Sequence, residues 1–216
     1  EKKKTKATDA INNGLEPLAK MMMSFPTKGS FESLTLKFIN EKIKTMEEAI
    51  TGAKYIIAEY ISDNAYFRKY IRFFVYKNGE IVTKKKKNDL DQEKVYEMYY
   101  GYSEPIKYIK SHRVLAFNRA EKEDVISVNI KVDDEKIIEF LKSKIIKNSE
   151  SFVTEEIVDA INDSYKRLIF PSIEREIRSD LTDKASEVAI ENFSNNLEKL
   201  LMTPPMKDRM VLGLDP

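Results

Sequence analysis

PSIEREIRSDLTDKASEVAIENFSNNLEKLLM, residues 171–202, decides the fold class. Pro171 suits a first helical turn, where its missing N–H would have had no partner anyway. Behind it Ile173, Ile177, Leu181, Ala185, Val188, Phe193, Leu197 and Leu200 trace one face almost without a break, the period of an amphipathic helix. Glu174 with Arg178, and Asp180 with Lys184, stand four apart and are expected to pair along it. Pro204-Pro205 ends the run. From Pro171 to Met202 such a helix spans roughly 48 Å at ~1.5 Å per residue, a length that bridges domains or anchors an elongated bundle.

Upstream, the chain is punctuated in the same helical manner. Thr8 is expected to cap a short helix that Gly14 stops, and Pro17 opens a second through Met23. After a loop at Pro26 and Gly29, residues 31–40 predict a weak helix. Thr45-Met46-Glu47-Glu48 is a capping box before a stripe of Ala49, Ile50, Ala53, Ile56, Ile57, Tyr60 and Ile61, and Gly52 inside it implies a close neighbour. The stretch 63–76 predicts a helix on the spacing of Phe67, Ile71 and Phe74, although Asn78-Gly79 also suits a hairpin turn. Extended residues 80–83 lead into Lys84-Lys85-Lys86-Lys87, four like charges that predict a solvated loop. Ser111 is expected to cap a helix to about Ala120. Ile126, Val128, Ile130 and Val132 alternate with polar residues as a half-buried strand does. Asp133 or Asp134 opens a helix to about Ile146, and Thr154 another to Ile169. The expected architecture is mainly α: an elongated multi-helical scaffold with a small β element and one long C-terminal helix.

Composition narrows the chemistry. With no Cys and a single histidine, His112, no zinc site of several His or Cys ligands fits within the 216 residues, while a carboxylate-only magnesium or calcium site stays open. Acids and bases nearly cancel, to a net charge of +1, so any basic surface must be local. No apolar run approaches a membrane span and no signal core opens the chain, which favours a soluble, cytoplasmic protein. Six glycines include no phosphate-loop or dinucleotide spacing. Ser111-His112 lacks a third group for a triad and reads as a helix start. Glu174-Arg175-Glu176 reads as a solvated polar face, and Tyr96, Tyr99, Tyr100 and Tyr102 as core or groove lining ahead of base stacking. The residues best suited to phosphate are Lys84, Lys85, Lys86, Lys87, Arg113 and Arg119. Met210 to Leu214 reads as an apolar strand needing a partner, as if the chain breaks off inside a next domain.

Three blocks carry a resemblance: Tyr102-Ser103-Glu104-Pro105-Ile106-Lys107 with Ser111-His112-Arg113-Val114-Leu115-Ala116; Arg167 to Arg178; and Asn196 to Pro205 leading into Val211-Leu212-Gly213-Leu214-Asp215-Pro216. Together they resemble the core of the bacterial Tex family, over essentially the whole chain. The resemblance implies a nucleic-acid-associated transcription accessory protein, with residues 1–206 in a central helical region and 207–216 beginning a YqgF domain of ribonuclease-H-like fold. Asp215 would then stand where such nucleases carry their first carboxylate, but two-metal chemistry needs several carboxylates from different strands. The expected function is a helical scaffold, not itself an enzyme, that positions RNA- or DNA-binding modules outside this chain. It would use no cofactor, metal or small-molecule substrate, would bind nucleic acid weakly and non-specifically, and would have the transcription machinery as a further partner. The alternative is a fragment of a metal-dependent nuclease whose active site lies beyond Pro216.

Overall fold

The structure, a computed structural model, describes residues 5–87, 90–204, 210 and 212–213. The N-terminal helices wrap around one central rod. α1 (Lys6–Asn12) is capped by Thr5, whose hydroxyl accepts from the Thr8 amide; the expected cap at Thr8 thus lies one turn too late. Gly14, at φ +84, reverses the chain into α2 (Glu16–Met23), with Pro17 in its first turn. The helix expected over 31–40 is shorter. α3 (Phe31–Thr35) tightens into a 3₁₀ turn at Leu36–Phe38.

α4 (Met46–Ser62) is the central rod. Thr45 caps it by accepting from the Glu48 amide, while the Glu48 carboxylate reaches one residue further back, to the Lys44 amide. Its stripe is buried as expected except for Tyr60, whose hydroxyl leaves the core to donate to Glu16. Gly52 permits the contact of α4 with the α1–α2 corner: a Cβ there would stand 2.3 Å from Leu15 Cδ1.

α5 (Ala65–Asn78) is the helix that the Phe67–Ile71–Phe74 spacing predicts, and no hairpin forms at Asn78-Gly79. Asn64 caps its start. Gly79 stops it in extended conformation, with its amide still bonded to Val75 O at 2.7 Å, a position so tight that a Cβ would meet that same oxygen at 2.5 Å. The chain then enters β1 (Glu80–Lys85), the middle strand of a three-stranded antiparallel sheet with β2 (Ser103–Pro105) and β3 (Ile126–Lys131) on either side. Ile81 faces Ile130 and Thr83 faces Val128 across the β1–β3 pair, turning apolar side chains inward. The strand expected from Ile126 is therefore present, with its alternation intact.

α6 (Ser111–Lys122) begins without a side-chain cap; Lys110 holds the cap position, and Ser111 is already helical, contrary to expectation. α7 (Asp134–Ile145) is capped by Asp133. α8 (Thr154–Asp163), a π-helical turn at Ser164–Ile169 and α9 (Phe170–Leu201) run on as one helix of 48 residues. That is roughly 70 Å at ~1.5 Å per residue, longer than the separate helices expected from Thr154 and Pro171. The π turn is where the rod locks to its neighbours. Ser164 Oγ donates to Ala58 O of α4 at 2.7 Å, and the buried Tyr165 hydroxyl donates to Asp134 at the start of α7 at 2.5 Å.

The stripe of α9 divides in two. Ile173, Ile177 and Ala185 are buried and Leu181 is partly buried, but Val188, Phe193, Leu197 and Leu200 are exposed, Phe193 to 67%. An unbroken amphipathic stripe would bury Leu197 with Ile177 and Leu181, but Leu197 is exposed, because α5 and α6 pack only against the first half of α9. The expected same-helix pairs also give way. Glu174 accepts from the Ile130 amide, Arg178 pairs with Glu121 of α6, and Asp180 pairs with Arg72 of α5. Neighbouring elements crowd this half of the helix, so its charged side chains find partners across the interface before partners along it. In the Glu174-Arg175-Glu176 cluster Arg175 and Glu176 are exposed, as a polar face is, but the two glutamates also brace the fold, with Glu176 held by Arg68 of α5 at 2.6 Å. Of the strand read at 210–214, Met210, Leu212 and Gly213 are described and belong to no strand, with Met210 and Leu212 exposed; Val211, Leu214, Asp215 and the rest of the segment 207–216 lie outside the described residues.

Candidate nucleic-acid interface

The six cationic candidates lie on or just after β1 and on α6, but not as a loop of free charges: Arg113 is held near the start of β1, by Glu104, and Lys84–Lys87 at and beyond its far end. Lys84 and Lys85 belong to β1, opposite Ser127 and Ile126, which corrects the solvated-loop expectation for this half of the run. A strand forms there because Thr83 and the Lys86 amide complete the β1 ladder, the latter bonding to Val125 O at 3.0 Å. Lys85 Nζ sits 4.7 Å from the centre of the Tyr100 ring, a cation–π contact. Lys86 pairs with Asp124. Lys84 and Lys87 are exposed and make no ion pair among the described residues.

Arg113 is not a free cation either. It donates to Glu104 of β2 at 2.6 Å and lies over the Tyr102 ring, so it clamps α6 to the sheet. Arg119 is exposed on the same helix and makes no ion pair among the described residues. Of the six residues, then, Lys84, Lys87 and Arg119 present charge without a counter-ion among the described residues. Beside them, an open groove between α6 and α9 exposes Lys122 and Arg175 next to the Arg178–Glu121 bridge.

The tyrosine cluster is core, as read. Tyr96 is buried and donates to Glu123 at 2.8 Å; Tyr102 donates to Glu104 at 2.9 Å; Tyr99 meets Phe117 edge-on at 5.0 Å. Burial, reinforced by the carboxylate each one faces, raises the Tyr96 and Tyr102 hydroxyls above the usual phenol range. The organiser of this segment escaped sequence reasoning. Asp91 accepts from the Val95 and Tyr96 amides at 2.8 and 2.9 Å and from the Tyr100 hydroxyl. Burial opposes its charge, but those donors together hold the carboxyl below its ordinary value. Only the Asp-before-turn pattern at Asp91 hinted at this, and it is common. His112 is exposed, and among the described residues no cluster of three or more His, Cys, Asp or Glu is arranged to hold a metal ion. No helix among them is long and apolar enough to cross a membrane.

A helical frame braced by inter-helix ion pairs around a small antiparallel sheet, with exposed basic residues on β1 and α6, defines the class: a helical core carrying a modest cationic surface. Residues 28–193 match the sequence model described as Tex central region-like, and the chain belongs to that family. It is similar to the YdcI protein of Bacillus subtilis, 50% identical over 219 residues that cover 100% of this chain and 30% of that protein. It is 28% identical over 220 residues to the transcriptional accessory protein Tex of Neisseria gonorrhoeae, covering 100% of this chain and 29% of that one. It is also 31% identical over 230 residues to the human S1 RNA-binding domain-containing protein 1, covering 99% and 23% respectively. The chain spans less than a third of the length of these relatives.

Proposed function

We propose that this chain is the helical scaffold of a cytoplasmic, nucleic-acid-binding transcription accessory protein, and that it catalyses no reaction itself. The observation that carries the reading is the continuous helix from Thr154 to Leu201. Up to Ala185 it packs against α4, α5, α6 and α7. Beyond Ala185, Val188, Phe193, Leu197 and Leu200 are exposed. A rod fixed at one end holds whatever packs on the other at a set distance and angle, which is the work of a scaffold for modules outside this chain. The names of the relatives support the nucleic-acid and transcription context. The chain's own share of contact is weak and sequence-independent, because exposed unpaired lysines and arginines recognise phosphate without reading bases.

The test is to incubate the purified chain with fluorescein-labelled single strands and duplexes of RNA and DNA, with magnesium or manganese, and to follow anisotropy and integrity together. Salt-sensitive binding without cleavage is expected. Cleavage that tracks the protein through purification would overturn the non-enzymatic reading, and no binding at low salt would overturn the chain's share in the contact.

A further inference from the structure

The packing leaves one side of α5 largely uncovered. The helix has no Asp or Glu from Ala65 to Asn78. Its two arginines are committed: Arg68 and Arg72 take Glu176 and Asp180, the carboxylates that α9 turns toward it. Further round the helix Phe73 is 63% exposed, and Tyr76, one turn beyond Arg72, is 44% exposed. They stand three residues apart on one helix face, with Lys77 reaching back over the Phe73 ring at 5.9 Å. Tyr76 lines a shallow cleft together with Lys107 and with Lys184 of α9. Next to Lys107, Tyr108 is 63% exposed and carries the Lys107 ammonium 4.7 Å from its ring centre. Lys77, Lys107 and Lys184 make no ion pair among the described residues, although charged partners pair freely elsewhere in the fold.

We propose that this face, formed by Phe73, Tyr76 and Lys77 of α5 with Lys107, Tyr108 and Lys184, is a stacking platform for single-stranded nucleic acid. It rests on the reading of the chain as part of a nucleic-acid-binding protein, and it assigns that contact to a surface distinct from the Lys84–Lys87 run. The chemistry favours this occupant over a protein partner. Exposed aromatic rings offer flat faces to bases of any sequence. The interleaved ammonium groups have no carboxylate partner among the described residues and so suit phosphates, whereas lysine is depleted from the cores of protein–protein interfaces. A duplex keeps its bases stacked on one another, so rings have little to bind there, and the platform selects single strands.

The experiment measures anisotropy of fluorescein-labelled oligouridylate and oligothymidylate with the whole chain, and light scattering of the chain alone. Phe73→Ala combined with Tyr108→Ala removes the two most exposed rings, and unchanged circular dichroism melting confirms an intact fold. Tyr76, partly packed, is left in place. The double variant should weaken single-strand binding at least about fivefold per ring lost and leave duplex binding unchanged. Lys77→Gln with Lys107→Gln and Lys184→Gln should flatten the plot of log affinity against log salt by up to ~0.7 per lost contact. Lys84→Gln with Lys87→Gln serves as the control on the other surface. If the wild-type chain binds and the Phe73/Tyr108 variant binds equally well, the platform is overturned while the proposed function stands. If the wild-type chain does not bind, the platform falls together with the chain's share in nucleic-acid contact. If the double variant alters only the oligomeric state, the face joins copies of the chain and the platform is overturned.

Discussion

Truncating the α9 stripe at two points, Ile177→Ala and Phe193→Ala, should give opposite outcomes although both residues belong to one amphipathic pattern. Ile177 is 2% exposed, within the core cluster. Removing its side chain loses transfer energy and leaves a cavity that α5 and α6 cannot close, because ion pairs on both flanks hold them in place. The expected cost is ~2–5 kcal/mol. For a domain of this size ~1 kcal/mol shifts the melting temperature by about 2–4 °C, so the midpoint should fall by roughly 4–20 °C. Phe193 is 67% exposed, and its ring contributes little that water does not replace. Phe193→Ala should stay within ~0.5 kcal/mol, a shift of at most about 2 °C. The assay is thermal unfolding followed at 222 nm, at two protein concentrations a factor of about twenty apart. A loss in Phe193→Ala comparable to that in Ile177→Ala, independent of concentration, would show that the outer half of α9 packs on this chain and would refute the division of the stripe. Leu181, only partly buried, should fall between the two.

Gly79→Ala should destabilise the chain by ~1–3 kcal/mol in urea unfolding, because the added Cβ meets a backbone oxygen of α5 that cannot rotate away. A neutral result would mean that the α5–β1 junction is looser than its 2.7 Å hydrogen bond indicates. Asp91 titrates below its ordinary value in the folded state. Its contribution to stability is therefore complete above the unfolded value of about pH 4 and is lost as the pH falls through the depressed folded value. Asp91→Asn should flatten the acid side of the stability–pH curve, and an unchanged acid limb would remove Asp91 from that role. Neutralising all four lysines from Lys84 to Lys87 should lower the salt slope of duplex binding by the share of Lys84 and Lys87, up to ~0.9 each, since Lys85 and Lys86 already have internal partners. A loss near four contacts would show that those partners release their lysines on binding.

The sequence alone determined the elements whose signals are local. Helical period, Pro17 in a first turn, Thr45 and Asp133 as caps, and the alternation from Ile126 all act within a few residues, and each is found where its pattern lies, whereas Pro171 does not open a helix but lies inside the continuous one, just after the π turn. The blocks around Glu104-Pro105 and Pro171-Ser172 also carried the family. Only the tertiary structure decided which half of the α9 stripe is buried. Periodicity marks a face as apolar, but burial depends on whether another element reaches it, and α5 and α6 end alongside Ala185 or before. The same holds for the charges. Sequence spacing offered Glu174–Arg178 and Asp180–Lys184, yet those side chains pair with Ile130, Glu121 and Arg72, residues 44, 57 and 108 positions away. Lys84 to Lys87 looked uniform as a run of like charge. β1 pairing, the Tyr100 ring and Asp124 made them four different residues, because a strand points successive side chains to opposite faces and each face meets different neighbours.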